Sequence, residues 1–509
     1  MEDNRTVKNL IKKNCFMCKI DLRDAYFLIS VHRKYRRYLR FKFNGVIYEF
    51  NCLPFGLNIA PYVFTKLMKP IFSFLRARGF LSVVFLDDIL LIGNTYAECL
   101  TNRNETLDLL LKLGFVPNYE KSILIPSQVI QYIGFIYSSI DMSVSLPQDK
   151  VSSTLELVSK FLLLEKCSIR DFARMLGKVT SICPGIKYGW LYTKYFERQK
   201  FLALQSSNEN YNATMKILPL LYEDFQWWIK NLPKAKNFIQ IDSFAIEIFS
   251  DASSTGWGIS CLGKKSRGFW SVVEKEYHIN YLELLAVFFG LKCFASHLSN
   301  CNILCRVDNT TALAYINKMG SVQYPKLNNL SRTIWQWCEE RNLFLYASYI
   351  KSIDNWEADH ESRSLATETE WALDLPAFMK ISSSFGEPEI DLFASRTNAK
   401  CGKFVSWLRD PESIAIDAFT LNRNQLKFYA FPPFALILRV LNKIISDNAR
   451  GILVVPLWTA QPWYPVFLSL LEREPIIFAP YKNLMSFNST PHPLWRKTTL
   501  AAGIVSAKH

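Results

Sequence analysis

The chain has 509 residues, 50% of them hydrophobic, which excludes disorder as the default state and supplies apolar material for several cores. Lys and Arg total 60 against 45 Asp and Glu; the formal charge of +15 favours a polyanionic partner but does not by itself separate nucleic acid from a membrane surface. No apolar run reaches the roughly 18 residues of a membrane span, and the opening MEDNRTVKNLIKKNC is polar where a signal peptide is apolar. The expectation is an intracellular protein, cytoplasmic or nuclear, neither secreted nor membrane-bound. The 12 cysteines lie scattered among aliphatic segments and read as reduced thiols. Cys15 and Cys18 form a CxxC with no second pair at zinc spacing, and read as core-lining residues; so do His297, Cys301 and Cys305, around a helix end and the next strand.

From Lys19 to Tyr137, short β-rich runs alternate with helices: KIDLRDAYFLISV, YLRFKFNGVIYEFNCL, a helix from Pro61, the run SVVFLDDILLIG, and a helix around Leu107 to Leu113. Pro61 suits a first helical turn, and Phe64, Leu67, Met68, Ile71 and Leu75 recur at helical spacing. From Leu146 to Leu232 the pattern is mostly helical, with a basic, aromatic stretch GIKYGWLYTKYFERQK and the pair Trp227 and Trp228. A strand FAIEIFSDASSTGWGISCLG follows, with Gly256 and Gly258 marking a turn or bulge. Next come a helix YLELLAVFFGLKCFASHL, a strand ILCRVDN, another helix, a strand LFLYASYI and a polar stretch to Ala366. From Thr369 onward strands such as GILVVPLW alternate with prolines, and the residues after Asn483 read as polar and loosely ordered.

Two adjacent acids in VVFLDDILLI conflict with one straight strand, because consecutive side chains point to opposite faces and one charge would enter apolar packing. A hairpin with Asp87 and Asp88 at its tip resolves the conflict, pairing Ser82 to Leu86 with Ile89 to Ile92. Asp21, in KIDLRDAYF, then brings a third carboxylate alongside, and three such acids suit Mg²⁺. Taken alone, a DD pair reads as a solvated turn.

The surrounding motifs change that balance. DLRDAYF, LPFGLNIAPYVF (Leu53 to Phe64), FLDD, GFVPNYEKS and QYIGF stand in the order found in the palm of reverse transcriptases, which this region resembles. The resemblance implies that Asp21, Asp87 and Asp88 bind Mg²⁺, or Mn²⁺ in its place, for phosphoryl transfer from dNTPs to a DNA primer on an RNA template. It makes Tyr26 the aromatic gate against the 2′-hydroxyl, Phe55 and Gly56 the walls of the nucleotide pocket, and Lys121 a partner of the pyrophosphate or the proton. Tyr26 and Phe55 read equally as palm core aromatics. Few residues precede Asp21, so the fingers region that the family carries there is expected to be largely missing. The basic run Arg33, Lys34, Arg36, Arg37, Arg40 and Lys42 reads either as a contact to template or phosphate or as a solvated face.

A second series of acids is Asp251 in IEIFSD, Glu283 in YLELLAVFFGL, Asp308 in ILCRVDN and Asp359 in NWEADHESRS. In order and context they resemble the four carboxylates of ribonuclease H, which hold two Mg²⁺ ions and cut the RNA strand of an RNA–DNA hybrid. Glu283, on an otherwise apolar helix, is a costly buried charge unless it faces a cation. The loop before Asp359 departs from the family pattern, and His360 reads as structural rather than as a proton shuttle.

EIDLFASRTNAKCGKFVSW, FYAFPPFALI and GILVVPLWTAQPWYPVF resemble the region after ribonuclease H in DIRS-type retrotransposons, which is distantly similar to adenine N6-methyltransferases. At the position of the amine-binding Asp or Asn stands Phe431, followed by Pro432, Pro433 and Phe434, so the expectation is a methyltransferase-like fold with weak or no transfer; Asp391 reads as a structural strand-end acid rather than as a contact to a cofactor. No tyrosine-recombinase signature appears before His509, and an element-encoded recombinase is a candidate partner.

The expected organisation is α/β and α+β, multidomain: a palm at 1–140, a helical thumb or connection at 141–240, a ribonuclease H-like domain at 245–365, a methyltransferase-like segment at 370–485 and a tail at 486–509. Three functions stay open: polymerase plus nuclease, a truncated copy with only the nuclease active, and a non-catalytic nucleic-acid-binding relic.

Overall fold

The computed structural model describes residues 2–239, 243–364, 370–487 and 490–507. The chain is mixed α/β and divides into two compact units, Met1–Asp242 and Ser243–His509. The boundary expected at Ala366 to Thr369 lies largely outside the described residues.

In the first unit, β1 (Phe16–Asp21), β2 (Leu81–Phe85), β3 (Asp88–Gly93) and β4 (Ile123–Ser127) form an antiparallel sheet in the order β2-β3-β1-β4. Helix α1 (Ala60–Ala77) carries Pro at its first turn, as expected, and buries Phe64, Met68, Phe72 and Leu75 in one core with Ile20, Ile89 and Leu91. Leu67, placed on the apolar stripe from the sequence, is 41% exposed, and Phe72 takes its place one turn beyond Met68. Helix α2 runs from Tyr96 to Lys112 and is longer than the hydrophobic pattern suggests, because Thr95 accepts from the Glu98 amide and Glu98 reaches back to the Asn94 amide.

Beyond these, β5 (Val129–Tyr132), β6 (Phe135–Ser138), β7 (Ser143–Ser145) and β8 (Lys236–Phe238) make a second sheet, with helices α3 (Gln148–Leu162), α4 (Ile169–Ile182), α5 (Lys194–Ser206) and α6 (Tyr222–Asn231) between β7 and β8 in the chain. Most of the aromatic residues of the basic stretch lie in the core, although Trp190 is 39% exposed. Tyr188, Tyr192 and Phe196 are buried, and Trp227 stacks on Tyr192 with ring centres 4.0 Å apart.

Among its described residues the second unit holds a five-stranded sheet, a seven-stranded sheet and a small three-stranded one formed by Ala372–Leu373, Met485–Phe487 and Thr490–Pro491. β9 (Ile246–Ala252), β10 (Gly256–Cys261), β11 (Lys264–Phe269), β12 (Asn302–Val307) and β13 (Phe344–Tyr349) lie in the order β11-β10-β9-β12-β13, antiparallel on the hairpin side and parallel from β9 to β13. Helices α7 (Ile279–Ala295), α8 (Thr310–Asn317), α9 (Pro325–Glu340) and α10 (Trp356–Arg363) accompany this sheet, and α7 is buried along most of its length.

After helix α11 (Leu375–Phe385), a seven-stranded sheet is built from β14 (Ile390–Asp391), β15 (Lys403–Ser406), β16 (Ala415–Ile416), β17 (Phe428–Ala430), β18 (Arg450–Pro456), β19 (Ile476–Phe478) and β20 (Leu500–Ser506). Its order is β16-β15-β14-β17-β18-β20-β19, parallel from β16 to β18 and antiparallel at β20, so the direction of winding reverses between β14 and β17. Helices α12 (Ile437–Ser446) and α13 (Tyr464–Leu470) pack on one face and α11 on the other.

Strand β20 corrects the expectation of a loose tail. All seven of its residues are buried, it pairs with β18 from Leu500 to Ser506, and it alternates Ala501 and Val505 into one core with Leu500, Ala502 and Ile504 into the other. Polar residues just before it masked a run that reads LAAGIVS. Replacing Ile504 by Ala will therefore cost about 2–5 kcal/mol in urea unfolding, whereas a residue in a solvated tail changes stability by less than about 0.5 kcal/mol.

Candidate active sites

In the first unit the β1–β3 register sets Asp21 opposite Asp88, and the β2–β3 register sets Asp88 opposite Phe85. The turn therefore consists of Leu86 and Asp87, and Asp88 belongs to the strand rather than to the tip. Leu86 takes a positive φ of 55°, an uncommon conformation for a leucine that the short connection imposes. Lys19, two residues before Asp21 and so on the same face of β1, binds the Asp88 carboxylate at 2.7 Å. Partial desolvation, followed by the charges of Asp88 and Asp21, raises Asp87 above the ordinary carboxylate range. The Tyr132 hydroxyl donates to the carbonyls of Val83 (2.9 Å) and Asp88 (3.1 Å) and ties the hairpin from behind.

Around these acids, Tyr26 is buried against Phe64 (5.6 Å between ring centres) and Phe55 (5.0 Å), while Phe55 itself is 60% exposed. Gly56 has φ +85°, where a side chain would be strained. Lys121 is exposed in the loop after Asn118, whose amide donates to the Asp21 carbonyl. The basic run lies on a short helix, Arg33–Arg36, and on an exposed hairpin, Arg40–Phe43 with Val46–Glu49, in which Arg40 pairs with Glu49.

In the second unit Asp251, near the end of β9, and Glu283, on α7, are 4% and 5% exposed. Asp308 directly follows β12. Ligand oxygens of these three acids all lie within 4.8 Å of one another, and they are the one such acidic group among the described residues. Ser362 donates to Asp251 at 2.7 Å and Ser352 to Asp308 at 2.6 Å, which orients both carboxylates. The Oε2 atom of Glu283 is buried without a hydrogen-bond partner. Burial first, then the charges of Asp251 and Asp308, push Glu283 up to about 9; burial likewise raises Asp251, with Asp308 and Asp359 adding to it.

Asp359, one turn before Ser362 on α10, is outside the group of three and is held by Arg363 at 2.7 Å. His360 is exposed and contacts Ser364. Helix α10 reaches the acids because Gly258 opposes Asp251 on β10. A Cβ there would lie 2.1 Å from the Ala358 carbonyl and 2.3 Å from the Ser362 amide.

The acids stand out in the sequence, but their supporting residues were missed. Lys19 had a usable signal, the two-residue spacing from Asp21, and Ser362 had another, one helical turn after Asp359. Tyr132 and Ser352 had none, since only the tertiary fold brings them to their partners.

In the seven-stranded sheet, Asp391 is buried and accepts from the amides of Phe393 (3.2 Å) and Lys400 (3.1 Å), so its own loop uses both oxygens; burial lifts it to about 6. Phe431 packs on Phe434, which also meets Trp458 and His492. With no polar acceptor at Phe431 and Asp391 already engaged, these residues do not fit methyl transfer to an amine. None of the described helices is long and apolar enough to cross a membrane.

Residues 1–137 match the family model described as "Reverse transcriptase (RNA-dependent DNA polymerase)", and the chain carries a reverse transcriptase domain there. It is 25% identical over 380 residues to an enzymatic polyprotein of Cauliflower mosaic virus (strain D/H), covering 70% of this chain and 51% of that protein. To a genome polyprotein of Petunia vein clearing virus (isolate Shepherd) it is 25% identical over 313 residues, 60% of this chain and 13% of the relative. The chain thus spans about half the length of the Cauliflower mosaic virus polyprotein. Among solved structures it is similar to a foamy viral protease-reverse transcriptase in complex with double-stranded DNA, with TM-score 0.42, 14% identity and coverage of 68% of this chain and 59% of that one.

The raised Glu283 fixes the sign of a pH effect. Between its ordinary 4.5 and about 9, the folded chain keeps a proton that the unfolded chain has released, so stability falls as pH rises through that window. Asp251 adds in the same direction. In chelator, thermal midpoints will decline from about pH 5 to about pH 8, and Glu283→Gln will flatten the decline and gain about 1–3 kcal/mol at the upper end. An identical slope in the variant would place this carboxylate in solvent.

Proposed function

We propose that the chain is a retroelement enzyme joining an RNA-directed DNA polymerase, with RNA template, DNA primer and dNTPs as substrates, to a ribonuclease that cuts the RNA strand of RNA–DNA hybrids. The family match over residues 1–137, which contains Asp21, Asp87 and Asp88, carries the polymerase half. For the nuclease half the carrying observation is the unpartnered, buried oxygen of Glu283 beside Asp251 and Asp308. An apolar helix does not retain such a charge without a cation to neutralise it.

Divalent cations, Mg²⁺ or Mn²⁺, fit hard carboxylate oxygens of this kind. The nuclease residues to hold them are Asp251, Glu283 and Asp308 with Asp359 beside them, and in the polymerase Asp21, Asp87 and Asp88. When bound, such ions lower the pKa of the attacking oxygen and stabilise charge on the phosphoryl group. The chain's own residues prepare the sites: Ser362 and Ser352 aim two carboxylates, Arg363 pairs with Asp359, and Lys19 holds Asp88 until a cation competes for it. Tyr26, Phe55, Gly56 and Lys121 are assigned to the incoming nucleotide.

A narrower reading, in which only the nuclease is active, draws on the difference between the two sets of acids. Those of the second unit gather within 4.8 Å, whereas Asp88 is bound to Lys19. The DIRS-type origin, the element-encoded recombinase as partner and a methyltransferase-like ancestry for the seven-stranded sheet belong to the same proposal; the last is supported by the strand order with its antiparallel β20.

Hybrid cleavage in Mg²⁺ will fall on the order of 10³-fold in Asp251→Asn, read on labelled RNA annealed to DNA. Well-folded wild-type protein that leaves the hybrid intact defeats the nuclease assignment. Primer extension on an RNA template will be lost in Asp87→Asn; equal extension by both proteins rules out this hairpin as the polymerase site.

A further inference from the structure

The loops that leave the carboxyl ends of β14 and β15 are the usual place for a ligand in a sheet wound in both directions. Here both run to helix α7. After β14, Glu370 accepts from Ser395 (2.5 Å), Thr397 (3.4 Å) and Asn398 (3.4 Å) and fixes the turn from which Arg396 projects. Arg396 forms an ion pair with Glu274, the two side chains 8% and 15% exposed, and its guanidinium lies 4.5 Å from the ring centre of Phe289. After β15, Arg409 lies 5.2 Å from the ring of Phe294 and donates to the Cys293 carbonyl at 3.3 Å. The Arg409 carbonyl accepts from the Cys293 thiol (3.5 Å) and from the Ser266 hydroxyl of β11. Asp410 accepts from the Arg396 amide at 3.1 Å and joins the two loops.

Phe289, Cys293 and Phe294 all lie on α7, one to three turns beyond Glu283. A displacement of that helix would carry Glu283 away from Asp251 and Asp308, and its apolar residues oppose such a movement only by non-directional packing. Charge-assisted and cation–π contacts in a desolvated setting are directional and resist such a displacement.

We propose that the seven-stranded module serves as a clamp on α7, with Arg396 and Arg409 as positioning residues that hold Glu283 against Asp251 and Asp308. The catalytic consequence rests on the nuclease reading; the mechanical one does not. In the full chain, amide hydrogen exchange in chelator will accelerate roughly 5- to 30-fold across α7 in Arg396→Ala, and an equivalent amount in Glu274→Gln. Arg396→Lys will show a smaller increase, because it keeps the charge but loses the planar stacking. Arg450→Ala, which removes an exposed pair with Glu472 in the same module, will leave α7 unchanged. In Arg396→Ala the Mg²⁺ concentration for half-maximal cleavage will rise by about tenfold, while the rate at saturating Mg²⁺ recovers.

Unchanged exchange in α7 for both Arg396→Ala and Glu274→Gln overturns the clamp, and so does equal acceleration in Arg450→Ala. Should one of the α7-contacting variants fail to fold, the other decides. Faster exchange in a chain whose wild type cleaves no hybrid supports the clamp and removes the nuclease reading alone.

Discussion

Three carboxylates held within 4.8 Å of one another, two of them almost wholly buried, set the terms for the rest of the second unit. Desolvation, and then the neighbouring charges, oppose ionisation of Asp251 and Glu283, and the Oε2 atom of Glu283 is buried without a hydrogen-bond partner. The surrounding structure answers each acid separately. Asp251 is tied by Ser362 and Asp308 by Ser352, while the Oε2 atom of Glu283 has no side-chain partner and its place follows from the helix that carries it. Gly258 belongs to the same arrangement, since α10 can deliver Ser362 and Asp359 only where β10 has no side chain in the way.

The acids of the first unit meet the same electrostatic problem by a different route. Their hairpin lies closer to solvent, and a lysine from the neighbouring strand supplies the opposite charge directly. The tip is held from the backbone side by Tyr132, so the geometry of the turn does not depend on the state of the carboxylates. One unit therefore has a built-in counter-charge, while the other is destabilised by its acids in the absence of a cation.

The seven-stranded sheet reverses its winding between β14 and β17, and the residues at its carboxyl ends are engaged within the chain: Asp391 by its own loop and Phe431 against Phe434. The carboxyl-end loops contact the far end of α7.

Much of the fold was legible in the sequence because it follows from local pattern. Alternation in IEIFSD and VVFLDD gave strands with acids at their ends, continuous apolarity in LELLAVFFGL gave a buried helix, and the DD pair demanded a turn. The residue types of both acid sets, and the motifs around them, were likewise fixed by the chain alone. The register was not. It set Asp88 in a strand and paired LAAGIVS, from an apparent tail, between two strands of a sheet, while the packing of α1 chose Phe72 over Leu67 for the core. Nor could the sequence tell what holds each acid, because partners such as Lys19 with Asp88, Ser362 with Asp251 and Arg396 with Glu274 are separated by long stretches of chain. Local pattern depends on neighbours a few residues apart, whereas the charge state of a buried carboxylate depends on everything folded against it, and only the tertiary structure decides that.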